Sequence, residues 1–155
     1  ATYCVNVVRF GGTLMFSAAY EMLGGEKRKA QSVIDSLKII RQGLPVEMLD
    51  RGMLTLGLTK TDYAKIIGVN LRTLQRKMKG PNATLSPTAS EHALMLADMV
   101  KEADEYFGDR DATLRWLNKP SLVFENETLL SLCDTKTGII LVTEEINKLK
   151  YGYTA

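Results

Sequence analysis

The sequence predicts an all-α protein. Apolar residues recur at steps of three and four along successive segments, and these segments are repeatedly opened by Ser, Thr, Asn or Pro and closed by Gly. A basic stretch in the middle of the chain gives way to an acidic half, which divides the helices into two groups with different surfaces. A long helix is expected to join an N-terminal helical domain to a smaller helical C-terminal one.

At 155 residues the chain suits one domain, or two small ones sharing a connecting helix. Hydrophobic residues make up 45% and charged residues 25%, the balance of a soluble globular protein. No apolar run approaches the roughly 20 residues that span a bilayer, and no signal segment is recognised, so a cytoplasmic location without membrane contact is expected. Cys4 and Cys133 lie far apart and His92 is the single histidine. They read as buried thiols and a packed or surface histidine; no metal site, cofactor or catalytic set is expected.

The first helix is expected over residues 13–23, ended by Gly24 and Gly25. A second over residues 29–42 places Ile34, Leu37 and Ile40 on one face, with Gly43 closing it. Leu44 and Pro45 are expected to open a third, with Pro45 in the first turn and an apolar face of Met48, Leu49, Met53, Leu54 and Leu56 up to Gly57. The apolar faces of the first 40 or so residues suit either packing onto the middle helices of the chain or a contact between two copies.

Thr59 is a plausible cap for a helix over 60–67, and Asn70 for one over 71–79, with Gly68 and Val69 forming the turn. Ala64 is small enough for a close crossing, Gly68 tolerates a left-handed turn, and Val69 and Leu74 fill the angle between the helices. These three steric requirements together define a helix-turn-helix frame. In such a frame the second helix enters the major groove. Asn70, Arg72, Thr73, Gln75 and Arg76 are the candidates for base edges, with Leu71, Leu74 and Met78 turned inward. Lys60, Lys65, Lys77 and Lys79 suit phosphates. Across residues 60–80 six basic residues stand against one acid, Asp62, a balance of +5 that fits DNA or merely a solvated face; the steric frame favours DNA. One head with so few contacts binds weakly, so a homodimer is expected.

Ser86 and Pro87 open the longest helix, expected to reach Phe107, with a seam of Ala93, Leu96, Val100, Ala103 and Phe107. Shorter helices are expected over 111–118, 127–133 and 138–151, the last with a stripe of Ile139, Val142, Ile146 and Leu149. Residues 81–134 carry four basic residues against ten acids.

The C-terminal part holds, in order, Phe107-Gly108-Asp109, Ala112, Trp116-Leu117, Pro120, Leu129-Leu130, Thr135, Gly138, Val142 and the closing run from Leu149 to Ala155. This series resembles the toxin-binding domain of Xre-type antitoxins of the ParS and MbcA kind, the partners of RES-domain toxins. With the helix-turn-helix, the resemblance covers the chain from about Leu44 onward. It implies a DNA-binding region (44–85), a connecting helix (86–107) and a toxin-binding domain (108–155), with an N-terminal helical region (1–43) ahead of the resembling part. It further implies binding to operator DNA, autorepression, and a higher complex with a NAD-consuming RES-domain toxin whose active site is covered. Lys148, Lys150, Tyr151, Gly152 and Tyr153 are the positions the resemblance assigns to that contact.

A tail of this kind suits a NAD pocket, with Lys150 for acidic or phosphate-binding groups and Tyr151 or Tyr153 for ring packing. Equally, both tyrosines suit closing their own core. Trp116 reads as a core anchor rather than a contact residue. Two departures stand out: Ser90-Glu91 where relatives carry Ser-Arg, which puts a charge pair there in doubt, and Thr128 where relatives carry Pro, a changed helix start. Two other functions compete with this one. A free-standing regulator would sense a ligand with its C-terminal half, and an enzyme would draw on Asp104, Glu105, Asp109 or Asp111; the latter lack a partner His, metal set or nucleophile.

Overall fold

A computed structural model describes residues 16–152. Cys4 and most of the expected N-terminal apolar segment lie outside this range, as do Tyr153 and the two residues after it. Among the described residues the structure is helical, with two isolated antiparallel bridges in place of any strand, Pro45 with Thr84 and Pro120 with Thr128.

The helices are α1 (Ser17–Met22), α2 (Val33–Gln42), α3 (Met48–Leu56), α4 (Lys60–Ile67), α5 (Leu71–Met78), α6 (Pro87–Phe107), α7 (Arg110–Leu117), α8 (Leu129–Leu132) and α9 (Lys136–Tyr151), with 3-10 turns at Lys27–Lys29 and Leu122–Phe124. Local chemistry sets most starts. Ser32, Thr59, Asn70, Ser86, Asp109, Thr128 and Thr135 each accept a backbone N–H from the first turn, satisfying donors that the helix itself leaves orphaned. Thr128 thus supplies the start of α8.

Helix α6 is the axis. Leu94, Val100 and Ala103 are fully buried, and Leu96 and Met99 almost so, because α1, α2, α3, α4, α7 and α9 all pack against this helix. Helix α9 contributes Ile139, Val142 and Ile146, all fully buried. Fully burying such side chains stabilises the fold by about 1.5–3 kcal/mol each. One core therefore runs through both groups of helices. Trp116 is half-buried against Phe107, ring centroids 5.5 Å apart, at the edge of that core.

Several sequence expectations need correction. Helix α2 begins at Val33, not residue 29, because the Ser32 hydroxyl caps it and the preceding residues form a separate 3-10 turn. Its stripe is only partly buried: Ile40 is 8% exposed, but Ile34 is 59% and Leu37 38%, and the inward face instead uses Ser36. Pro45 lies before α3, in the bridge to Thr84, and not in the first turn of that helix. Leu54, Met78 and Leu149 point outward although their spacing put them on buried faces. Periodicity gives a direction around a helix but not the width of the neighbour that meets it.

The α3–α4–α5 unit leaves and rejoins the frame at one place. Val46 N–H donates to the Ala83 carbonyl (3.0 Å), Leu85 N–H to the Leu44 carbonyl (2.8 Å), and Leu44 N–H to the buried Ser90 hydroxyl (2.8 Å). This clasp joins the ends of the basic unit to the first turn of α6.

Candidate functional site

Helices α4 and α5 meet through the small buried Ala64, with Leu74 1% exposed in the angle between them. Gly68 adopts φ +76, the left-handed conformation that a side chain disfavours, and Val69 N–H returns to the Ala64 carbonyl at 2.8 Å. Buried Tyr63 of α4 lies across Gly52 of α3, where no side chain intervenes, so these two helices pack tightly. Helix α5 rests mainly on α4 and keeps its other side open.

On that open side Arg72, Gln75, Arg76 and Lys79 are exposed, and neither arginine nor Lys79 is ion-paired to any described residue. Lys65 is exposed on α4. Three other candidates are already engaged. The Asn70 side-chain oxygen accepts from Arg72 N–H (2.9 Å) and Thr73 N–H (3.3 Å), so it holds the start of α5. Half-buried Lys77 donates from Nζ to the Thr84 carbonyl (3.1 Å), tying α5 to the clasp. The Lys60 ammonium lies 3.5 Å from Met78 Sδ. Thr73 is half-buried. The open cations suit phosphates, and Arg72, Gln75 and Arg76 suit base edges.

At the other end, α9 finishes beside the C-terminal part of α6. Lys150 Nζ donates to Glu102 Oε2 (2.5 Å) and Glu105 Oε2 (3.1 Å). Burial alone would lower the Lys150 pKa, but those two carboxylates raise it on balance, so the ammonium stays charged. The lysine is thus folded onto its own domain, contrary to the free cation expected of the tail. Lys148 pairs with Glu145 (2.8 Å), Tyr151 is 63% exposed, and Gly152 ends α9 in the left-handed conformation. Lys148, Tyr151 and Gly152 therefore come together with Lys150 at one exposed helix end, and Tyr153 lies outside the described residues.

Several other titratable groups are engaged within the fold. Asp104 accepts from Arg110 (Nε 2.8 Å, Nη2 2.7 Å) and from the Thr113 hydroxyl (2.7 Å), while Asp109 caps α7. His92 is buried, its Nε2 2.7 Å from the Cys133 carbonyl oxygen, and burial pushes the Cys133 thiol up to about 12. Burial, and then the nearby Glu102, raises the Asp98 carboxyl to about 6. Glu91 pairs with Lys136 of α9, so the position that departs from the resembled pattern does carry a charge pair, to a lysine. Among the described residues no group of His, Cys, Asp and Glu is arranged to hold a metal, and no helix is long and apolar enough to cross a membrane.

One feature escaped the sequence reading. Helices α8 and α9 flank an open groove of about 660 Å³, floored by Leu132, Ile140 and Leu141 and rimmed by Glu127, Asp134 and Glu144. Its sequence signal was the pair Ile140 and Leu141, adjacent to but outside the buried stripe of α9.

Residues 35–98 match the family model of the antitoxin Xre-like helix-turn-helix domain. Residues 102–152 match that of the antitoxin Xre/MbcA/ParS C-terminal toxin-binding domain. A protein of Photorhabdus laumondii named Antitoxin Xre is 25% identical over 114 residues, covering 74% of this chain and 77% of its own. A protein of the same name from Yersinia enterocolitica is 24% identical over 136 residues, covering 87% and 89%.

Proposed function

We propose that this chain, which matches the helix-turn-helix model of Xre antitoxins over residues 35–98 and their C-terminal toxin-binding model over residues 102–152, is such an antitoxin, neutralising a NAD-consuming RES-domain toxin and repressing its own operon. The toxin is inhibited by occlusion: the C-terminal domain covers its active site. Operator DNA is bound by α5 in the major groove, two copies of the chain reading two half-sites. The chain does no chemistry of its own and works in the cytoplasm.

The observation that carries this reading is the separation of two surfaces around one helix. The open cations Arg72, Arg76 and Lys79 lie on a unit clasped to the start of α6, whereas the end of α9 lies against Glu102 and Glu105 near its finish. DNA and a protein partner can then be held at once without competing. Burial of Ala93, Leu96, Val100 and Ala103 along the α6 seam keeps the two ends in a fixed relation.

In the deciding experiment the chain is co-expressed with the product of the neighbouring gene. The purified material is assayed for NAD consumption, with the full chain and with residues 148–155 removed. An inactive complex that gains activity on truncation is expected. A neighbour that neither co-purifies nor consumes NAD refutes the proposal and leaves a free-standing DNA-binding regulator. Because truncation also removes Lys150 from Glu102 and Glu105, complex formation is read separately from activity.

A further inference from the structure

We propose that the groove between α8 and α9 is a docking site for a toxin segment in which an apolar side chain is flanked by lysine or arginine. The inference rests on the toxin-binding reading above and adds to it a contact surface away from the end of α9.

Folding alone does not account for the groove. Helix α9 spends Ile139, Val142 and Ile146 on its own core, all fully buried. Ile140 and Leu141 lie on the next face around the helix, with Ile140 39% exposed, and Leu132 of α8 stands opposite, half-buried. Apolar side chains gathered in a concave surface gain about 25 cal/mol for each Å² that a partner covers.

The rim specifies the charge of that partner. Glu127, Asp134 and Glu144 are all exposed, and no lysine, arginine or histidine lines the groove. Glu127 accepts from the Ser131 hydroxyl, a neutral donor. The cation at the start of α9, Lys136, is turned away to Glu91. Lys148, one turn beyond Glu144, forms its ion pair with Glu145 and feels the Glu144 carboxylate only at longer range. None of the three carboxylates is in an ion pair with a described cation, so an arriving Lys or Arg is attracted to this rim while an acidic segment is repelled by it. The groove is open along its length rather than enclosed, which suits a protein segment better than a small molecule that must be mostly buried.

The test uses the full chain and the purified product of the neighbouring toxin gene, with affinity measured at low and high salt. The double variant Asp134→Lys/Glu144→Lys is expected to bind at least about tenfold more weakly and to lose most of the salt dependence of the wild type. Ile140→Ser, a change on an exposed side chain, is expected to weaken binding severalfold at every salt concentration. Thermal melts within a few degrees of the wild type show that both variants fold. If the wild type binds and both variants match its affinity, the groove inference is overturned and the toxin-binding reading stands. If the wild type does not bind at all, both fall together.

Discussion

Replacing Gly138 with alanine sets two effects of opposite sign against each other. Gly138 sits in the first turn of α9, outside the positive-φ glycines, so alanine is compatible with its backbone, and in an open helix the change stabilises by about 1 kcal/mol. Here, however, a Cβ would run into the Leu132 carbonyl group, overlapping its oxygen and standing 2.6 Å from its carbon, where ordinary contact begins near 3.4 Å. The obstacle is backbone, so α8 and the start of α9 must separate by at least about 0.8 Å, the shortfall at the carbon alone. Overpacking of this kind costs about 1–3 kcal/mol, and the absence of any side chain able to rotate away puts it at the upper end. The net expectation for Gly138→Ala is a loss of about 2 kcal/mol, or about 4–8 °C in melting temperature for a chain of this size. Urea denaturation followed by far-ultraviolet circular dichroism measures it directly. A variant as stable as the wild type, or more so, would refute the close approach of α8 to α9 and with it the shape of the groove they flank.

Three further outcomes rest on single contacts. Asn70→Ala removes the acceptor for Arg72 and Thr73 N–H and is expected to cost about 1 kcal/mol, speeding hydrogen exchange in α5 about fivefold while α9 is unaffected. Asp98 titrates near 6 in the folded chain because burial comes first and Glu102 and Glu105 second, with Lys101 and Lys150 opposing. The folded state therefore holds that proton more tightly than the unfolded state, and this contribution to stability falls as pH rises from about 4 to 6, by about 3 kcal/mol at most. Asp98→Asn is accordingly expected to match the wild type near pH 4 and to exceed its stability at pH 7; denaturation across that range checks the sign, and a constant difference would count against it. Lys65→Ala/Lys79→Ala is expected to leave the melting temperature within about 2 °C, since neither side chain is ion-paired to a described residue, while lowering the salt slope of operator binding by about 2.

The parts of the fold legible in sequence were those decided within one turn of chain. Thr59, Asn70 and Ser86 cap their helices through hydroxyl or amide groups a few residues from the amides they satisfy, so their identity and spacing suffice. The turn at Gly68 and the burial of Ala64 and Leu74 are local in the same sense. What sequence did not reveal depends on how α6 lies against other elements. Lys150 reaches Glu102, 48 positions away, and Lys136 reaches Glu91, 45 away, and each pairing withdraws a cation that sequence left free. Ile34 and Leu37 kept their helical phase but met no covering helix among the described residues. The groove needed both kinds of information: Ile140 and Leu141 are visible as unused apolar positions, but only the packing of α8 beside α9 makes them a floor.

The clasp at Leu44, Val46, Ala83 and Leu85 has an evolutionary reading. A unit whose two ends are stitched together by backbone hydrogen bonds, rather than by particular side chains, is a cassette. Substitutions on the open face of α5 leave these bonds in place, as long as Ser90 and the buried side chains packed with α6, Leu56 and Tyr63 among them, are kept. On the proposed function, DNA contacts can then be altered while the end of α9 is left alone.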